Sequence, residues 1–457
     1  MPDSPVPLTA DLARALAHSS AAGLPGQVAA RARIAFLDTL AVIAAGLHDP
    51  ALGPLAAVLQ GGTARDRALV LGTAAHALDY DDVAFGGHVS AVIAPAILAL
   101  LPELPEETPS SAVLLAYAAG YEAWAEVASR ETTLYHARGG HPTGLLGPIG
   151  AAAAAASLLR LPPGPFAHAL GMAASLGAGL TVSFGTMTKP FHAGRAAEAG
   201  VLAALLARNG MTAAPDALEA ANGFLRVHSP RGEVDLKRPV FLQGGSFRLE
   251  SVAPSVKRFP VCYAAHRAID AALSLHATGG FDAGDLERIV ILISPRHSAT
   301  LRYAQPATVA EARFSVEFAV CTALLAGEVG LRQLTDDWLS DRRLQRLMAI
   351  CRRALSDRPD PALEGFAAFD QVTLHPRGKP PVQSPPVTRA LGHADRPMTA
   401  AGIEAKLADC LGLTRGLPPF AAVRDLIAGL GTPQGGTAAL ARLAQDLFSM
   451  ALAPPPR

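Results

Sequence analysis

The chain has 457 residues, with 39 Lys and Arg against 39 Asp and Glu and a formal net charge of zero. That balance, with no basic block, excludes a protein that grips nucleic-acid phosphates. Half the residues are hydrophobic and only 17% are charged, so the chain can fill two or three domains' worth of core and still bury surface in an oligomer.

The N-terminal third reads as helix. Asp11–Leu16 starts a first amphipathic turn, and Pro25 opens a longer helix over 28–45, where Ile34, Leu37, Leu40 and Ile43 recur at helical spacing. Further helices are predicted over 65–80, 92–101 and 110–129. After a Gly-Gly-His-Pro turn, 145–159 forms a helix carrying six consecutive alanines. Pro190 is predicted at the first position of a helix over 191–208, which stops at Asn209-Gly210. Beyond about Val227 the texture changes. The β-branched run at 288–294 reads as a strand, and two more, 368–374 and 387–391, flank a Pro/Gly-rich turn at 376–386. Helices are predicted at 311–325 and 341–354, and again at 400–411, 420–430 and 438–450. No fixed-period repeat is present, which argues against a solenoid.

The expected fold is mainly α: a large all-helical domain formed by both chain ends, 1–252 and 394–457, with an inserted α+β segment over 253–393. An insertion that closes over a helical body makes a cleft with a lid. The four cysteines, Cys262, Cys321, Cys351 and Cys410, lack zinc-knuckle or CxxC spacing. The start of the chain lacks a basic and apolar leader pattern, so a cytoplasmic setting is expected. A mean hydropathy of +0.27 raises the question of a membrane. The uncharged stretch 162–188 is long enough to span one, but Pro162, Pro163, Pro165, several glycines and His168 break it, so buried helices are expected.

Five polar spots interrupt this apolar background. Lys189 and His192 flank a helix start, where ammonium, imidazole and first-turn amides suit a carboxylate or phosphate. His76-Ala-Leu-Asp79-Tyr-Asp81-Asp82 ends a helix, and its three-residue spacing puts His76, Asp79 and Asp82 on one face. That run reads as solvated carboxylates, as a divalent-metal site, or as a source of a proton-transfer Asp. His88 follows Gly86-Gly87, and His141 follows Gly139-Gly140 at a turn opening onto a helix; nothing supplies a third metal ligand at familiar spacing. Lys257-Arg258-Phe-Pro260, followed by His266, marks the entry to the inserted segment, where the charges are either surface residues or a second anion contact. Tyr303 is a weaker candidate after the first strand. No P-loop, dinucleotide fingerprint or GxSxG elbow occurs, so any chemistry rests on His, Lys and Asp side chains.

At these residues the sequence resembles the MmgE/PrpD family of 2-methylcitrate dehydratases, cis-aconitate decarboxylases and iminodisuccinate epimerases. The landmarks are Leu37–Leu40, His76–Asp82, Gly140–Gly144, Met187–Ala197, Lys257–Pro260 with His266, and Glu311–Ser315, in order along nearly the whole chain. The resemblance implies a helical domain with a smaller α+β lid, a homodimer, and a cleft at the domain boundary that works without metal or organic cofactor. It carries active-site positions to Asp79, His88, His141, Lys189 and Lys257, and less directly to Tyr303. Two departures bear on the substrate: Val83 stands where many members have Thr, and Val89 follows His88 where many have Pro.

The expected chemistry is proton removal or delivery beside a carboxylate. Lys189 and Lys257 would stabilise charge on its oxygens, His88 and His141 would serve as base and acid with pKa values near neutrality, and Asp79 would orient or charge-balance a histidine. A dehydratase-type lyase acting on a small di- or tricarboxylate comes first, with epimerase or decarboxylase activity as alternatives. A non-catalytic helical scaffold is the reading from another class.

Overall fold

The computed structural model describes residues 6–20, 23–59, 61–361, 365–412, 418–432 and 435–453. Met1–Pro5, on which the leader expectation rests, lie outside them. The chain forms two units. The larger comprises Met1–Ser183, Met187–Ser255 and Leu407–Arg457; the smaller comprises Phe184–Thr186 and Val256–Lys406.

The first nine helices build most of the larger unit: α1 (Leu8–His18), α2 (Gly26–Gly46), α3 (Leu52–Val58), α4 (Ala64–Ala77), α5 (Ser90–Leu100), α6 (Ser111–Ala128), α7 (Pro142–Leu158), α8 (Pro163–Ala174) and α9 (Thr188–Arg208). Helices Phe420–Ala428 and Ala438–Leu452 return to the same core from the C-terminal end. Among the described residues this unit holds helices, short 3₁₀ turns and isolated bridges, and no strand. The stretch 162–188 resolves into α8 and a loop with a single 3₁₀ turn at Thr181–Ser183, and among the described residues no helix is long and apolar enough to cross a membrane.

Small residues set how closely these helices pack. A Cβ on Gly194 of α9 would lie 2.2 Å from Leu69 O and from Thr73 Oγ1 of α4, and one on Gly72 would lie 2.8 Å from Gly194 Cα. Only glycine permits that approach, because backbone meets backbone where a side chain would stand. The contact brings the end of α4 against the start of α9.

Helix α9 begins earlier than the proline signal predicts. Thr188 opens it, Lys189 follows inside the first turn, and Pro190 is the third residue. Proline fits there because first-turn amides have no intrahelical acceptor to lose. The predicted stop holds: Asn209 caps the helix and Gly210 takes φ +90°.

The smaller unit carries a four-stranded sheet in the order β2-β1-β3-β4, formed by β1 (Leu286–Ile293), β2 (Cys351–Leu355), β3 (Gln371–Pro376) and β4 (Val382–Gln383). β1 pairs parallel with β2, with Ile291 opposite Arg353, and antiparallel with β3, with Ile291 opposite Val372. Ile289, Ile291 and Ile293 join Val372 and Leu374 in one core with the helices His266–Thr278 and Val316–Ala326.

Three expectations fail in this unit. The helix predicted over 341–354 ends at Ala349, and Cys351–Leu355 is a strand, because parallel pairing with β1 outweighs the propensity of a five-residue run. The strand predicted over 387–391 reduces to a single bridge, Val387 to Asp370, while Val382–Gln383 inside the supposed turn pairs with β3. The helix predicted over 311–325 divides into Val309–Ala312 and Val316–Ala326, since Ser315 takes an extended backbone and its hydroxyl caps the second helix at Phe318 N.

Candidate active site

Four segments of the larger unit supply the site: the end of α4, the turn after it, the start of α7 and the first turn of α9. Helix α4 stops at Ala77, and Asp79 adopts a left-handed backbone with φ +49°. Asp tolerates that region better than most non-glycine residues. The helix therefore ends before Asp79, and the expected common face of His76, Asp79 and Asp82 does not form.

Asp82 turns away from the other two. Its carboxylate accepts hydrogen bonds from the backbone N–H and the hydroxyl of Ser90, whose oxygen lies 2.6 Å from the Tyr117 hydroxyl. Burial pushes Asp82 up to about 7 against the pull of the Ser90 bonds, with Asp38 and Asp81 adding to the rise.

Asp81 faces the opposite way. Its two oxygens lie 3.0 and 3.1 Å from Nδ1 of His76, and Oδ2 lies 2.9 Å from Nδ1 of His88. Burial works to raise this carboxyl, but the charges and hydrogen bonds of His76 and His88 outweigh it and hold Asp81 well below the usual carboxylate range.

Lys189 reaches the same spot from α9. Its Nζ lies 2.8 Å from Nε2 of His76 and donates to Oδ1 of Asp79 at 3.0 Å. Both side chains are buried, so removing one would leave the other uncompensated. An ammonium has donors only, so His76 must offer its Nε2 lone pair and carry its proton on Nδ1, toward Asp81. Burial lowers the His76 pKa despite the opposing pull of Asp81, and Lys189 lowers it further. Asp79 is thus a counter-ion of Lys189, and its Oδ1 also lies 3.7 Å from Nε2 of His88.

His88 owes its position to two glycines. Gly86 takes φ +74°, Ala84 and Gly87 bridge across the turn, and a Cβ on Gly87 would stand 2.6 Å from the Trp124 ring. The backbone N–H of His88 then donates to Thr143 Oγ1 at 3.1 Å, tying the turn to α7. His141 is the N-cap of α7, with Pro142 at the first helical position. Its ring lies 5.9 Å from that of His76 and 6.4 Å from that of His88, and its Nδ1 is 3.0 Å from Nδ1 of His192.

Burial first, then Lys189 and the three neighbouring histidines, push His141 well below the usual imidazole value. His192 is pushed down to about 4 by burial, His76 and Lys189. This corrects the expectation that His141 titrates near neutrality. Protonating it would place another cation beside a buried ammonium, so the ring stays neutral.

His76, Asp79, Asp81 and His88 each offer a ligand atom, all within 4.8 Å of one another, which is a donor set a divalent ion accepts. Two of these residues also meet Lys189. Lys189 holds the His76 lone pair and Asp79, and both ring nitrogens facing Asp81 lie at hydrogen-bond distance from it.

The larger unit therefore brings together Asp79, His88, His141, Lys189 and His192 from the sequence candidates. Lys257 and Tyr303 belong to the smaller unit. Lys257 is fully buried, whereas Arg258 beside it forms an ordinary partly exposed ion pair with Asp270 at 3.3 Å. The Tyr303 hydroxyl donates to Phe184 O at 3.0 Å and accepts from Arg302 at 2.9 Å. The sequence reading gave no role to His76 and none of its own to Asp81. Their signal was present in the His76–Asp82 run, but only the non-helical turn decides which carboxylate meets which ring.

Comparison with known proteins adds relatives to this geometry. The MmgE/PrpD N-terminal domain family matches residues 10–237, and the MmgE/PrpD C-terminal domain family matches residues 259–416. The chain is 30% identical over 320 residues to the cis-aconitate decarboxylase of Mus musculus, covering 67% of this chain and 64% of that protein. It is 28% identical over 291 residues to the cis-aconitate decarboxylase of Homo sapiens, covering 62% of this chain and 60% of that protein. The chain thus spans somewhat less than two thirds of the length of either relative.

Proposed function

The chain belongs to the MmgE/PrpD family, and from that premise we propose that it is a lyase acting on a small di- or tricarboxylate through side chains alone. The observation that carries the proposal is the buried Lys189 ammonium, held between His76 and Asp79 within a group of four imidazoles. A buried cation at the first turn of a helix suits a substrate carboxylate, and it gains most when negative charge grows there in the transition state.

Decarboxylation of a cis-aconitate-type substrate is the leading reading, supported by the activity named for both relatives. In that reaction the C–C bond to one carboxylate breaks and CO₂ leaves. The electron pair shifts through the neighbouring double bond, and a proton is delivered to the carbon at its far end. Lys189 stabilises the charge on a remaining carboxylate while His88 and His141 serve proton transfer. Lys257 keeps the role its motif suggests, a second cation for the substrate's carboxylates, and Tyr303 a contact to substrate.

Elimination of water from a methylcitrate-type substrate is the second reading. It is favoured by the neutral state of His141, since a site poor in imidazolium is better prepared to remove a proton than to donate one. Incubation with cis-aconitate, 2-methylcitrate and iminodisuccinate in deuterated water, followed by NMR, separates these reactions. Release of CO₂ with one deuterium incorporated marks the first, and loss of a hydroxyl with a new double bond the second. Turnover of none of the three would refute the lyase reading. Loss of turnover in Lys257→Ala and Tyr303→Phe would support their roles, and unchanged kinetics would remove them.

A further inference from the structure

Thr143 has entered so far only as the acceptor for the backbone N–H of His88, which lies 3.1 Å from its hydroxyl oxygen. We propose that Thr143 is a positioning residue for the reaction: its buried hydroxyl sets the turn that carries His88 against the helix start that carries His141. The link between the two segments stands apart from the lyase reading; its effect on turnover rests on that reading.

Each histidine sits on a segment that is closed on itself. On the His88 side, Asp82 accepts from the backbone N–H and the hydroxyl of Ser90, which ties the two ends of the 82–90 loop together. Inside that loop, Ala84 and Gly87 exchange two backbone hydrogen bonds of 3.0 Å. On the His141 side, the backbone N–H of His141 donates to Gly179 O at 3.0 Å, and its carbonyl accepts from the N–H groups of Gly144 and Leu145. These bonds fix each backbone internally. None of them sets one segment against the other.

Thr143 makes that connection. It is the second residue of α7, and none of it is exposed. Its hydroxyl accepts from the N–H of His88 itself, so the bond acts at the residue whose ring must be placed. Gly87 allows the approach: a Cβ there would lie 3.4 Å from Thr143 N and from Pro142 Cβ, and 2.6 Å from the Trp124 ring. Packing presses the turn onto α7 without choosing a direction, whereas a hydrogen bond has a preferred distance and angle. The rings of His88 and His141 then stand 6.4 Å apart, centroid to centroid. A misplacement of about 1 Å in a group that moves a proton can cost about a hundredfold in rate.

Valine and serine separate the hydroxyl from the packing. Valine keeps the branched shape of threonine but has no acceptor, and serine keeps the acceptor but loses the methyl group. In the full chain labelled at histidine nitrogens, with His88→Gln used for assignment, the His88 backbone amide should exchange slowly with deuterated water. Thr143→Val should speed that exchange by about tenfold, and Thr143→Ser should not. In the lyase assay, Thr143→Val should lower kcat by about tenfold or more with little change in KM, and Thr143→Ser should recover most of the loss.

An exchange rate untouched by valine, an unchanged kcat in folded Thr143→Val, or equal losses in both variants would overturn the proposal. If Thr143→Val does not fold, the other two proteins still decide. Rapid exchange at His88 in the unsubstituted protein, or a large fall in kcat in Thr143→Ser, then overturns it, and slow exchange with kcat retained supports it. Should the unsubstituted protein turn over none of the three substrates while valine still releases the amide, the lyase reading has failed and the link stands.

Discussion

Nζ of Lys189 sits 2.8 Å from Nε2 of His76, an ammonium donating to a neutral imidazole inside the protein. A histidine in this role is not a proton carrier; it is a fixed acceptor that aims a cation. Replacing Lys189 by Ala should cost roughly a hundredfold or more in kcat, the scale of one charge-stabilising group. Lys189→Arg should not restore activity, because a planar guanidinium cannot replace a compact ammonium between His76 and Asp79. Steady-state kinetics on the accepted carboxylate check both variants, and near-normal turnover in Lys189→Ala would sink the assignment.

Gly194 connects helix packing to that contact. A methyl group there would collide with Leu69 O and Thr73 Oγ1 of α4. Gly194→Ala should destabilise the fold by about 1–3 kcal/mol, the usual cost of overpacking. It should also lower activity, since parting α4 from α9 parts His76 from Lys189. Urea denaturation and kinetics on the same preparation test the link; a stable, fully active variant would break it.

Asp82 gives a dependence on pH with a definite sign. Its folded pKa of about 7 lies above the ordinary value of 3.8, so between these limits the native state holds a proton that the unfolded chain has released. That contribution to stability is complete below pH 3.8 and is lost as pH rises through 7. Asp82→Asn mimics the protonated form and should not suffer this loss. The melting temperature of the variant, relative to the unsubstituted protein, should therefore climb from about pH 5 to about pH 8. A gap that stays flat would show that Asp82 is ionised throughout.

The histidines act in the opposite direction. His192, lowered to about 4 by burial, His76 and Lys189, stays neutral in the fold while the unfolded chain takes up a proton below its ordinary 6.5. Stability from His192 should fall as pH drops from 6.5 toward 4, and buried His141, also lowered, should act with the same sign. His192→Gln should flatten the acid side of the stability profile; an unaltered acid limb would count against it.

His76, Asp79, Asp81 and His88 form a group that a divalent ion would accept, but Lys189 already contacts His76 and Asp79. Prolonged treatment with a strong chelator should leave turnover unchanged. Activity abolished by the chelator and restored by one added metal would show that an ion, rather than Lys189, organises these four side chains.

The mainly helical character, the family, and the identity of the cations and imidazoles are legible in the order of residues, because helical periodicity, Pro and Gly signals and short motifs are local properties. That order places α9 and its Asn209-Gly210 stop, and it marks Lys189, His88 and His141. What those residues do to one another is set by how the chain packs. That Asp81 rather than Asp79 or Asp82 meets two imidazoles follows from a left-handed residue at Asp79 that no spacing rule foretells. That His141 stays neutral follows from burial beside Lys189, and that Cys351–Leu355 is a strand follows from a partner some sixty residues away in β1. Each depends on groups distant in the chain meeting in a medium of low polarity, where a neighbour's charge or a backbone partner outweighs local preference.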